Sequence, residues 1–496
     1  MILRLPIFLL LLSVTLSSRL SAADESTRRL TLRDCIDMAL ENNLDIRIRR
    51  VQPNIDFFNL ESSRGAYDPA LSTAVTKSFR ASPGSPDPNS TRFGLGSDSF
   101  SETYSPGVSG RLPIGTQYRL SGNLNRQYGT FYPSYQYSTD LGVSVTQPLL
   151  KNFLIDADRR AIQVNRVTLK IDELALRHQI MRSITAVEQA YFELVFRREN
   201  IHVQETSLRL AERLLAENRR KVELGAMAPL DEKQAESQVA ARRADVLSAQ
   251  VDFETQMNNL KALLSDDFVA WAAVTLEPED KLLALAQNFD LQESWRTGLD
   301  QRPDLLQSKQ YVERQNIVLR YNKNQLLPSL NLQLTYGHNG IGQTLPTGFD
   351  GIRTGAGQNY SYGLVLTIPF SNKIAKNNLR SSRLEKERLL LSLKQVEQQI
   401  IVEIDNAVKA ARTAYSRVDA TRQSRLYAEA ALEAEEKKLA NGKSTSFFVL
   451  QLQRDLTTAR LSELRSLADF NRALSNLRLS EGSTLESHQL DVDVVE

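Results

Sequence analysis

Two hydrophobic patterns alternate along the chain. In residues 32–64 apolar side chains recur at helical spacing after Thr31, a suitable N-cap, which predicts a helix that ends before Pro69. Between 68 and 148 glycine, serine, threonine and tyrosine become frequent, and stretches such as 141–145 alternate apolar and polar residues. Alternation of this kind predicts strands, so the first helix is followed by several strands.

A long helical hairpin is predicted next, over 156–264. Residues 156–224 contain no glycine or proline, and their apolar positions step by three and four as in a coiled coil. Gly225 interrupts this pattern, and Pro229 suits the start of a second, shorter helix. At about 1.5 Å per residue the first helix would be on the order of 100 Å long, roughly twice the length of its partner. The uncovered half of its apolar stripe therefore needs another helix.

The same series of elements then repeats. Matching residue types recur in the same order at offsets of 259, 221 and 217 positions, which indicates an internal duplication. The predicted segments are a first repeat unit at 24–264 (helix 32–64, strands 68–148, hairpin 156–264), a linker at 265–290, a second repeat unit at 291–479 (helix 291–326, strands 328–370, hairpin 375–479) and a C-terminal tail at 480–496.

The helix lengths suggest how the repeats share their helices. Helices 229–264 and 291–326, placed end to end, would match the first long helix, and 443–479 with 32–64 would match the second. The first repeat also carries 38 extra residues between Leu71 and Gly142. They form either an additional hairpin in the sheet or a larger external loop, and the sequence leaves both alternatives open.

The first 23 residues differ in kind from the rest. Arg4 precedes an apolar run from Leu5 to Leu16, and the small residues up to Ala23 suit a cleavage site, so a secretory signal is predicted at 1–23. A membrane anchor is the alternative, but the apolar run is too short to span a bilayer. No later stretch approaches 18 apolar residues. Any membrane residence of the mature chain would therefore come from strands.

Composition excludes several classes of protein. The net charge of +2 does not favour nucleic acid, and one cysteine with four histidines excludes a disulfide framework or a Cys/His zinc site. Gly442-Lys-Ser resembles the end of a P-loop but lacks its first glycine, and the glycine-rich segment 337–342 lacks a following helix and fits a loop. No nucleophile constellation is present, so neither an enzyme nor a cofactor site is predicted.

The strand segment has a composition typical of membrane barrels. Eleven aromatic residues fall between Tyr67 and Tyr137, among alternating strands with polar, glycine-containing loops. This combination suits a transmembrane wall with interfacial aromatic girdles, although a soluble sheet is the alternative for this segment taken alone.

Taken together, these features resemble the TolC-like outer membrane efflux proteins (outer membrane factors) over residues 32–479. The similarity rests on the order of five short strings and their partial duplication. The strings are Leu32-x7-Leu40-Glu-Asn-Asn43-x-Asp45, Thr146-Gln-Pro148-Leu149, Thr367-Ile-Pro369-Phe370, the hairpin break from Arg220 to Asp231, and the break from Lys438 to Gly442.

The resemblance implies a mixed α and β membrane protein. It implies a homotrimer whose protomers each give four strands, or more if the extra residues enter the wall, to one shared transmembrane β-barrel. A long periplasmic α-helical coiled-coil tunnel continues from that barrel. It places the protein in the outer membrane of a Gram-negative bacterium, in contact with outer membrane lipid, as a passive exit duct of a tripartite efflux or type I secretion system.

The implied partners are a periplasmic membrane-fusion adaptor and an inner-membrane pump of the RND or ABC type. Neither the transported cargo nor the pump class can be read from the sequence. A periplasmic coiled-coil scaffold without a membrane barrel is the alternative function, but it leaves the aromatic, alternating segments unexplained. An adhesin-like barrel would in turn leave the paired helical hairpins unexplained.

The hairpin breaks are the candidate sites for adaptor contact and gating. Gly225 and Gly442 are candidate tip contacts, with an ordinary helix-ending glycine as the alternative. Asp231 matches an aspartate that joins polar links at the family's closed tip, or else is a solvated acid in a first helical turn. Some family members carry inward-facing acids where this chain has Phe448 and Gln451. Phe447 and Phe448 form either an apolar constriction or a packing contact between helices, and the ion selectivity of the tip stays open.

Overall fold

The computed structural model describes residues 27–84, 96–225 and 227–490, and the signal sequence expected at 1–23 lies outside these residues. The helices are α1 (Leu32–Asn42), α2 (Leu44–Arg64), α3 (Ala157–Glu223), α4 (Pro229–Leu264), α5 (Phe268–Trp271), α6 (Leu291–Gln301), α7 (Pro303–Asn324), α8 (Leu345–Thr354), α9 (Lys373–Ala440), α10 (Ser446–Glu481) and α11 (Thr484–Ser487). None of the helices within the described residues is both long and apolar enough to cross a membrane.

The strands form two sheets. They are β1 (Thr27–Leu30), β2 (Ala70–Ser82), β3 (Ser97–Arg111), β4 (Gln117–Gly129), β5 (Tyr132–Pro148), β6 (Thr275–Pro278), β7 (Ser329–Gly342) and β8 (Gln358–Thr367). Strands β1 and β6 pair in parallel, so the predicted linker 265–290 supplies one strand of a small sheet.

The helices predicted at 32–64 and 291–326 are each broken once, at matched positions of the two repeats. The first break is at Asn43, which is buried and donates its side-chain amide to the Leu263 carbonyl at 2.9 Å. The second is at Arg302, where the following Pro303 disfavours helical backbone in the residue before it. The hydrophobic period continues across both breaks, which is why the sequence did not reveal them.

The chain divides into two compact units, and each unit takes segments from both repeats. The first unit comprises residues 1–44, 183–289 and 409–476, of which the structure describes those from 27 onward, except 226. Its helices adjoin in the order α4, α3, α10, α9. Ion pairs mark the neighbours: Arg197–Asp252 (2.6 Å) for α3 and α4, Arg465–Glu193 (2.9 Å) for α10 and α3, and Arg460–Glu429 (2.6 Å) for α10 and α9.

The second unit comprises residues 45–182, 290–408 and 477–496, excluding the undescribed positions. Within it, α7 contacts both long helices. Ile317 packs against Val167 and Ile171 of α3, and Gln315 donates to the Ser382 carbonyl of α9 at 3.0 Å.

Helix α2 also adjoins α3, through the ion pair Arg49–Asp172 at 2.8 Å. The expectation that 32–64 would line the second long helix is therefore wrong for the contacts made within one chain. The order of helices in this unit is α2, α3, α7, α9, which leaves α2 and α9 at the two ends.

The second unit carries a six-stranded sheet of order β2-β3-β4-β5-β7-β8, antiparallel throughout. Two of its strands come from the second repeat and four from the first. The extra residues of the first repeat therefore add strands to the sheet, and the smaller expectation of four strands is corrected to six. The turn predicted at Leu112–Gly115 joins β3 to β4, with Gly115 at a φ of +88°.

The two faces of this sheet differ sharply in polarity. One row of paired residues, running across all six strands, is entirely apolar or aromatic, and the adjacent row is entirely polar or glycine. The first row is Leu71, Val108, Leu120, Val143, Tyr336 and Tyr360; the second is Ser72, Gly107, Ser121, Gly142, Gly337 and Asn359. Because successive side chains of a strand point to opposite faces, these rows identify an apolar face and a polar face.

Two expectations for the second repeat need correction. The glycine-rich segment 337–342, expected to be a loop, belongs to strand β7, and the connection from β7 to β8 contains helix α8. Thr139 of β5 donates to the Gly348 carbonyl of α8 at 2.6 Å, and a Cβ at Gly340 would collide with that same carbonyl oxygen. The glycines therefore permit a helix to pack directly on the sheet, a long-range reason that a local pattern cannot reveal.

Candidate functional site

The ends of the two helical hairpins lie in the first compact unit and form the candidate site. At the first end, α3 stops at a turn in which Gly225 has a φ of +70° and donates to the Val222 carbonyl at 2.9 Å. Pro229 then occupies the first turn of α4. A Cβ added at Gly225 would meet no atom of the described, non-adjacent residues within 4 Å. The glycine is needed for its backbone conformation, and the space around it is open.

The second hairpin end has the same construction. Gly442 has a φ of +72° and donates to the Leu439 carbonyl at 3.1 Å, and Lys443 donates to the Lys438 carbonyl at 2.9 Å. These two bonds are those of a helix-terminating motif with a left-handed residue after the helix. A Cβ added at Gly442 would likewise lie more than 4 Å from any non-adjacent atom in the described part of the chain. Both predicted tip glycines thus adopt the conformation that favours glycine and border open space.

A buried polar contact joins the two hairpin ends. The Ser446 hydroxyl, at the start of α10, donates to the Asn218 side-chain oxygen of α3 at 2.9 Å. Ser446 is 2% exposed and Asn218 is fully buried. The Asn218 amide in turn donates to the Asp231 main-chain carbonyl of α4 at 3.4 Å. One asparagine therefore connects three helices at the tip.

Neither Asn218 nor Ser446 was among the residues singled out from the sequence. Asn218 follows Ala211 and Leu214 at steps of three and four, so it occupies a position of the apolar stripe of α3. A polar residue at such a position often specifies register in helical assemblies. That interruption of the stripe was the available signal.

The remaining sequence-derived residues lie around this contact. Asp231 is partly buried in the first turn of α4, and its main-chain carbonyl accepts the hydrogen bond from the Asn218 amide. Phe447 and Phe448 are 51% and 52% exposed, with ring centroids 5.7 Å apart, and Gln451 is exposed on the same helix. These three α10 side chains therefore lie on the helix face away from its buried contacts.

The opposite face of α10 packs into an apolar cluster. Its members are Leu214 of α3, Leu432 and Leu439 of α9, and Val449, Leu450 and Leu456 of α10. Because this cluster holds three helices together close to the hairpin ends, the half-exposed phenylalanines are not needed to fill the core.

A groove of about 670 Å³ adjoins the cluster, between α3, α9 and α10. Leu214, Leu439 and Val449 line its floor, and charged residues including Arg213 and Glu436 line its rim. An apolar floor with a polar rim is the usual anatomy of a surface that binds another protein.

Salt bridges stiffen both hairpin ends. Near the first end Arg219 of α3 pairs with Glu232 of α4 at 3.0 Å. Near the second end Glu435 accepts from Ser444 at 2.5 Å and pairs with Lys438 at 2.9 Å, and these two bonds hold the pKa of the Glu435 carboxyl below its ordinary value. The cationic partners Arg219 and Lys438 are largely exposed to solvent, so these pairs shape the ends more than they stabilise the fold.

The matched family model is described as outer membrane efflux protein, and it covers residues 104–265 and 296–483. No curated protein sequence matches the chain. Among solved structures, the chain is similar to a membrane protein from Pseudomonas aeruginosa, with 18% identity, a TM-score of 0.67, and coverage of 91% of this chain and 90% of that one.

Two further similar structures are outer membrane channels. One is the Campylobacter jejuni CmeC channel, with 17% identity, a TM-score of 0.65 and coverage of 91% of this chain and 86% of that one. The other is the open state of the Neisseria gonorrhoeae MtrE channel, with 18% identity, a TM-score of 0.63 and coverage of 92% and 89%. The family match spans well over half of the chain, and the channel structures share its fold, so this protein belongs to the outer membrane efflux protein family.

Proposed function

We propose that this chain forms the outer-membrane exit duct of a tripartite export system, as a trimer that carries cargo passively. The observation that carries the proposal is the six-stranded antiparallel sheet with one apolar and one polar face. A sheet of this kind can reside in a membrane only if its polar backbone edges are paired, because lipid offers no hydrogen bonds.

The two edge strands are complementary to each other. In a fully antiparallel sheet the first and sixth strands run in opposite directions, so β8 of one copy can pair antiparallel with β2 of the next. Every residue of β2 and of β8 is exposed in a single chain. Repetition of this junction would close a barrel and leave no edge.

The two outermost helices of the second unit, α2 and α9, support the same assembly. Helix α2 leads into β2, and β8 leads into α9, so the outermost helices of the second unit adjoin the outermost strands in sequence. Both helices expose large apolar side chains, including Ile48 (70%) and Phe58 (68%) on α2, and Leu384 (66%) and Leu391 (64%) on α9. A second copy placed against these ends would bury them.

Three copies would supply 18 strands to the wall. Because barrel diameter grows roughly linearly with strand number, this wall would be about one and a half times as wide as a 12-stranded one. Barrels of 16–18 strands leave a water-filled channel. The polar face, rich in serine, threonine, asparagine and glycine, would line that channel, and the apolar face would contact lipid.

The hairpin ends would meet the periplasmic adaptor. Both tip glycines border open space, and the groove floored by Leu214, Leu439 and Val449 offers an apolar surface next to them. An inner-membrane pump would then deliver cargo through the adaptor. The duct has no chemical step of its own, since nothing in the proposal requires a reaction.

Cysteine crosslinking across the proposed junction tests the trimer. Ser361→Cys in β8 would be combined in turn with Ser72→Cys, Ala74→Cys and Thr76→Cys in β2, all on the polar face. Oxidation of membranes is expected to yield covalent dimers and trimers for at least one of these pairs.

The matched control combines Ser361→Cys with Ser121→Cys of the interior strand β4, which should give no intermolecular product. A soluble periplasmic monomer, or crosslinks that are equally frequent in the control, would refute the trimeric duct.

A further inference from the structure

A group of three neighbouring charged residues interrupts the apolar face of the sheet. Lys77, Glu102 and Arg126 are direct cross-strand neighbours on β2, β3 and β4. Glu102 accepts from Lys77 at 2.8 Å and from Arg126 at 2.5 Å. We call Lys77, Glu102 and Arg126 the charged trio. Two cations share one anion, so the charged trio carries a net positive charge.

The charged trio lies near the outer limit of the apolar face. Lys77 is seven residues beyond Ala70, about 23 Å along a strand that rises about 3.3 Å per residue. In a strand tilted by about 40° from the membrane normal, the distance travelled along the normal is roughly three quarters of that length. The apolar band of a membrane barrel is about 25 Å tall, so Lys77 would lie in its outer part. On the helix-proximal side the same face of β2, β3 and β4 carries the aliphatic residues Leu71, Val75, Val108, Leu120 and Leu124.

Aromatic rings occupy the same face beyond the charged trio. The Phe100 ring stacks on Tyr128 and lies tilted against Phe79, each at a centroid distance of 4.5 Å, and Tyr135 packs edge-on against Tyr128 at 5.0 Å. The Arg126 guanidinium lies 4.9 Å from the Tyr135 ring centroid. Aromatic clusters of this kind mark the boundary between hydrocarbon and headgroups.

The cations of the charged trio remain available to a ligand. The Lys77 side chain is 75% exposed and that of Arg126 is 36% exposed, whereas Glu102 between them is 18% exposed. A cation facing lipid is unfavourable unless it reaches the interface and meets an anion. Within the charged trio one carboxylate neutralises only one of the two cations, so one positive charge is left to bind a further anion.

We propose that the charged trio binds a phosphate group of an outer-leaflet lipid, with Lys77 and Arg126 as its donors and the aromatic cluster against its acyl region. The proposal rests on the proposed function, because it requires the apolar face to contact the membrane. Lysine and arginine both bind phosphate through charge-assisted hydrogen bonds.

Native mass spectrometry of the full-length, detergent-purified protein tests the site. The probes are a bisphosphorylated lipid A and the same lipid without phosphates. The double variant Lys77→Gln with Arg126→Gln is expected to retain the bisphosphorylated lipid about tenfold less than the natural chain, since two charge-assisted bonds are lost. Arg80→Gln, on the polar face of the same strand, is the matched control and should not change retention.

A second variant keeps the test decisive if the first folds poorly. Glu102→Gln removes the internal anion and leaves both cations, so retention of the bisphosphorylated lipid should be equal or higher. Lower retention in Glu102→Gln, equal binding of the phosphate-free lipid, or an unchanged double variant would overturn the lipid site.

A separate measurement distinguishes failure of the membrane orientation. Tryptophan introduced at Leu120 on the apolar face should be quenched by brominated lipid, and tryptophan at Ser121 on the polar face should not. Quenching at Leu120 without phosphate-dependent retention would refute only the lipid site. Quenching at Ser121 and not at Leu120 would refute the orientation and with it both proposals.

Discussion

Replacing Asn218 by alanine should loosen the contact between the two hairpin ends. The Asn218 side chain accepts a hydrogen bond from the Ser446 hydroxyl at 2.9 Å and donates one to the Asp231 carbonyl at 3.4 Å. Asn218 and Ser446 are each at most 2% exposed. Alanine leaves the buried Ser446 hydroxyl with the weaker Met227 Sδ acceptor at 3.9 Å in place of the amide oxygen. If opening of the duct requires the hairpin ends to separate, the substitution lowers the free energy of that separation.

The size of the effect follows from the burial. Leaving a buried polar group without a good hydrogen-bond partner costs about 1–3 kcal/mol. At about 1.4 kcal/mol for each factor of ten, the population with separated ends should rise by roughly 5- to 100-fold. The Asp231 carbonyl can turn to water in the first turn of α4, so it adds little to this figure.

Planar-bilayer recordings of the purified protein measure the open fraction directly, and susceptibility to a large antibiotic measures leak in cells. Thr457→Val is the matched control. It removes a buried hydroxyl that donates to the Gln453 carbonyl at 2.8 Å and lies 3.1 Å from the Ser207 hydroxyl, between the same helices and about three turns from the hairpin end. Only Asn218→Ala should raise the open fraction, while both variants lower the melting temperature slightly. Equal open fractions in the two variants would refute the reasoning.

Three further predictions concern other positions. Tryptophan at Gly225 or Gly442 should weaken crosslinking to the adaptor while trimers persist. Alanine at the same position carries a similar backbone cost of about 1–2 kcal/mol without the bulk, so it should weaken the crosslinking much less. Equal losses for tryptophan and alanine would contradict docking at these glycines. Cys35 is fully buried, and its pKa is raised to about 12, mainly by burial and then by the nearby Asp34 and Asp280 charges. A maleimide should therefore label Cys35 only after unfolding. Rapid labelling of the native protein would be inconsistent with the fold. Burial holds the pKa of His178 below its ordinary 6.5. The contribution of the neutral imidazole to stability is therefore complete above about pH 6.5 and is lost as the pH falls through the lowered pKa. The melting temperature of His178→Gln should depend less on pH in this range, and a pH dependence identical to that of the natural chain would contradict the role of His178.

The helical part of the fold was readable because its signal is local. The apolar stripe of α3 repeats at coiled-coil spacing across 67 residues, and Gly225 ends it where the structure ends the helix. The breaks at Asn43 and Arg302 were missed, since a single non-helical residue hardly disturbs the hydrophobic period. Long-range contacts, such as the bond from Asn43 to the Leu263 carbonyl, accompany the break.

The candidate site was predicted in part. Gly225 and Gly442 were expected at the hairpin breaks, and both take the left-handed backbone that favours glycine; their contact with an adaptor stays a prediction. Asn218 and Ser446 were not identified, because they lie 228 positions apart and their bond exists only once α3 and α10 are packed together. Phe447 and Phe448 were placed on the right helix, but the sequence did not decide between a buried and an exposed face.

By itself the sequence determined the features that depend on local pattern: the long helices, the glycines that end them, the duplication and the alternating strands. Only the tertiary structure decided which elements are neighbours. It placed the extra residues of the first repeat in one six-stranded sheet, put α8 on that sheet, and joined the hairpin ends through Asn218. The physical reason is that periodicity is imposed on each residue by its own backbone, whereas pairing between distant segments depends on the combined burial and hydrogen bonding of all of them.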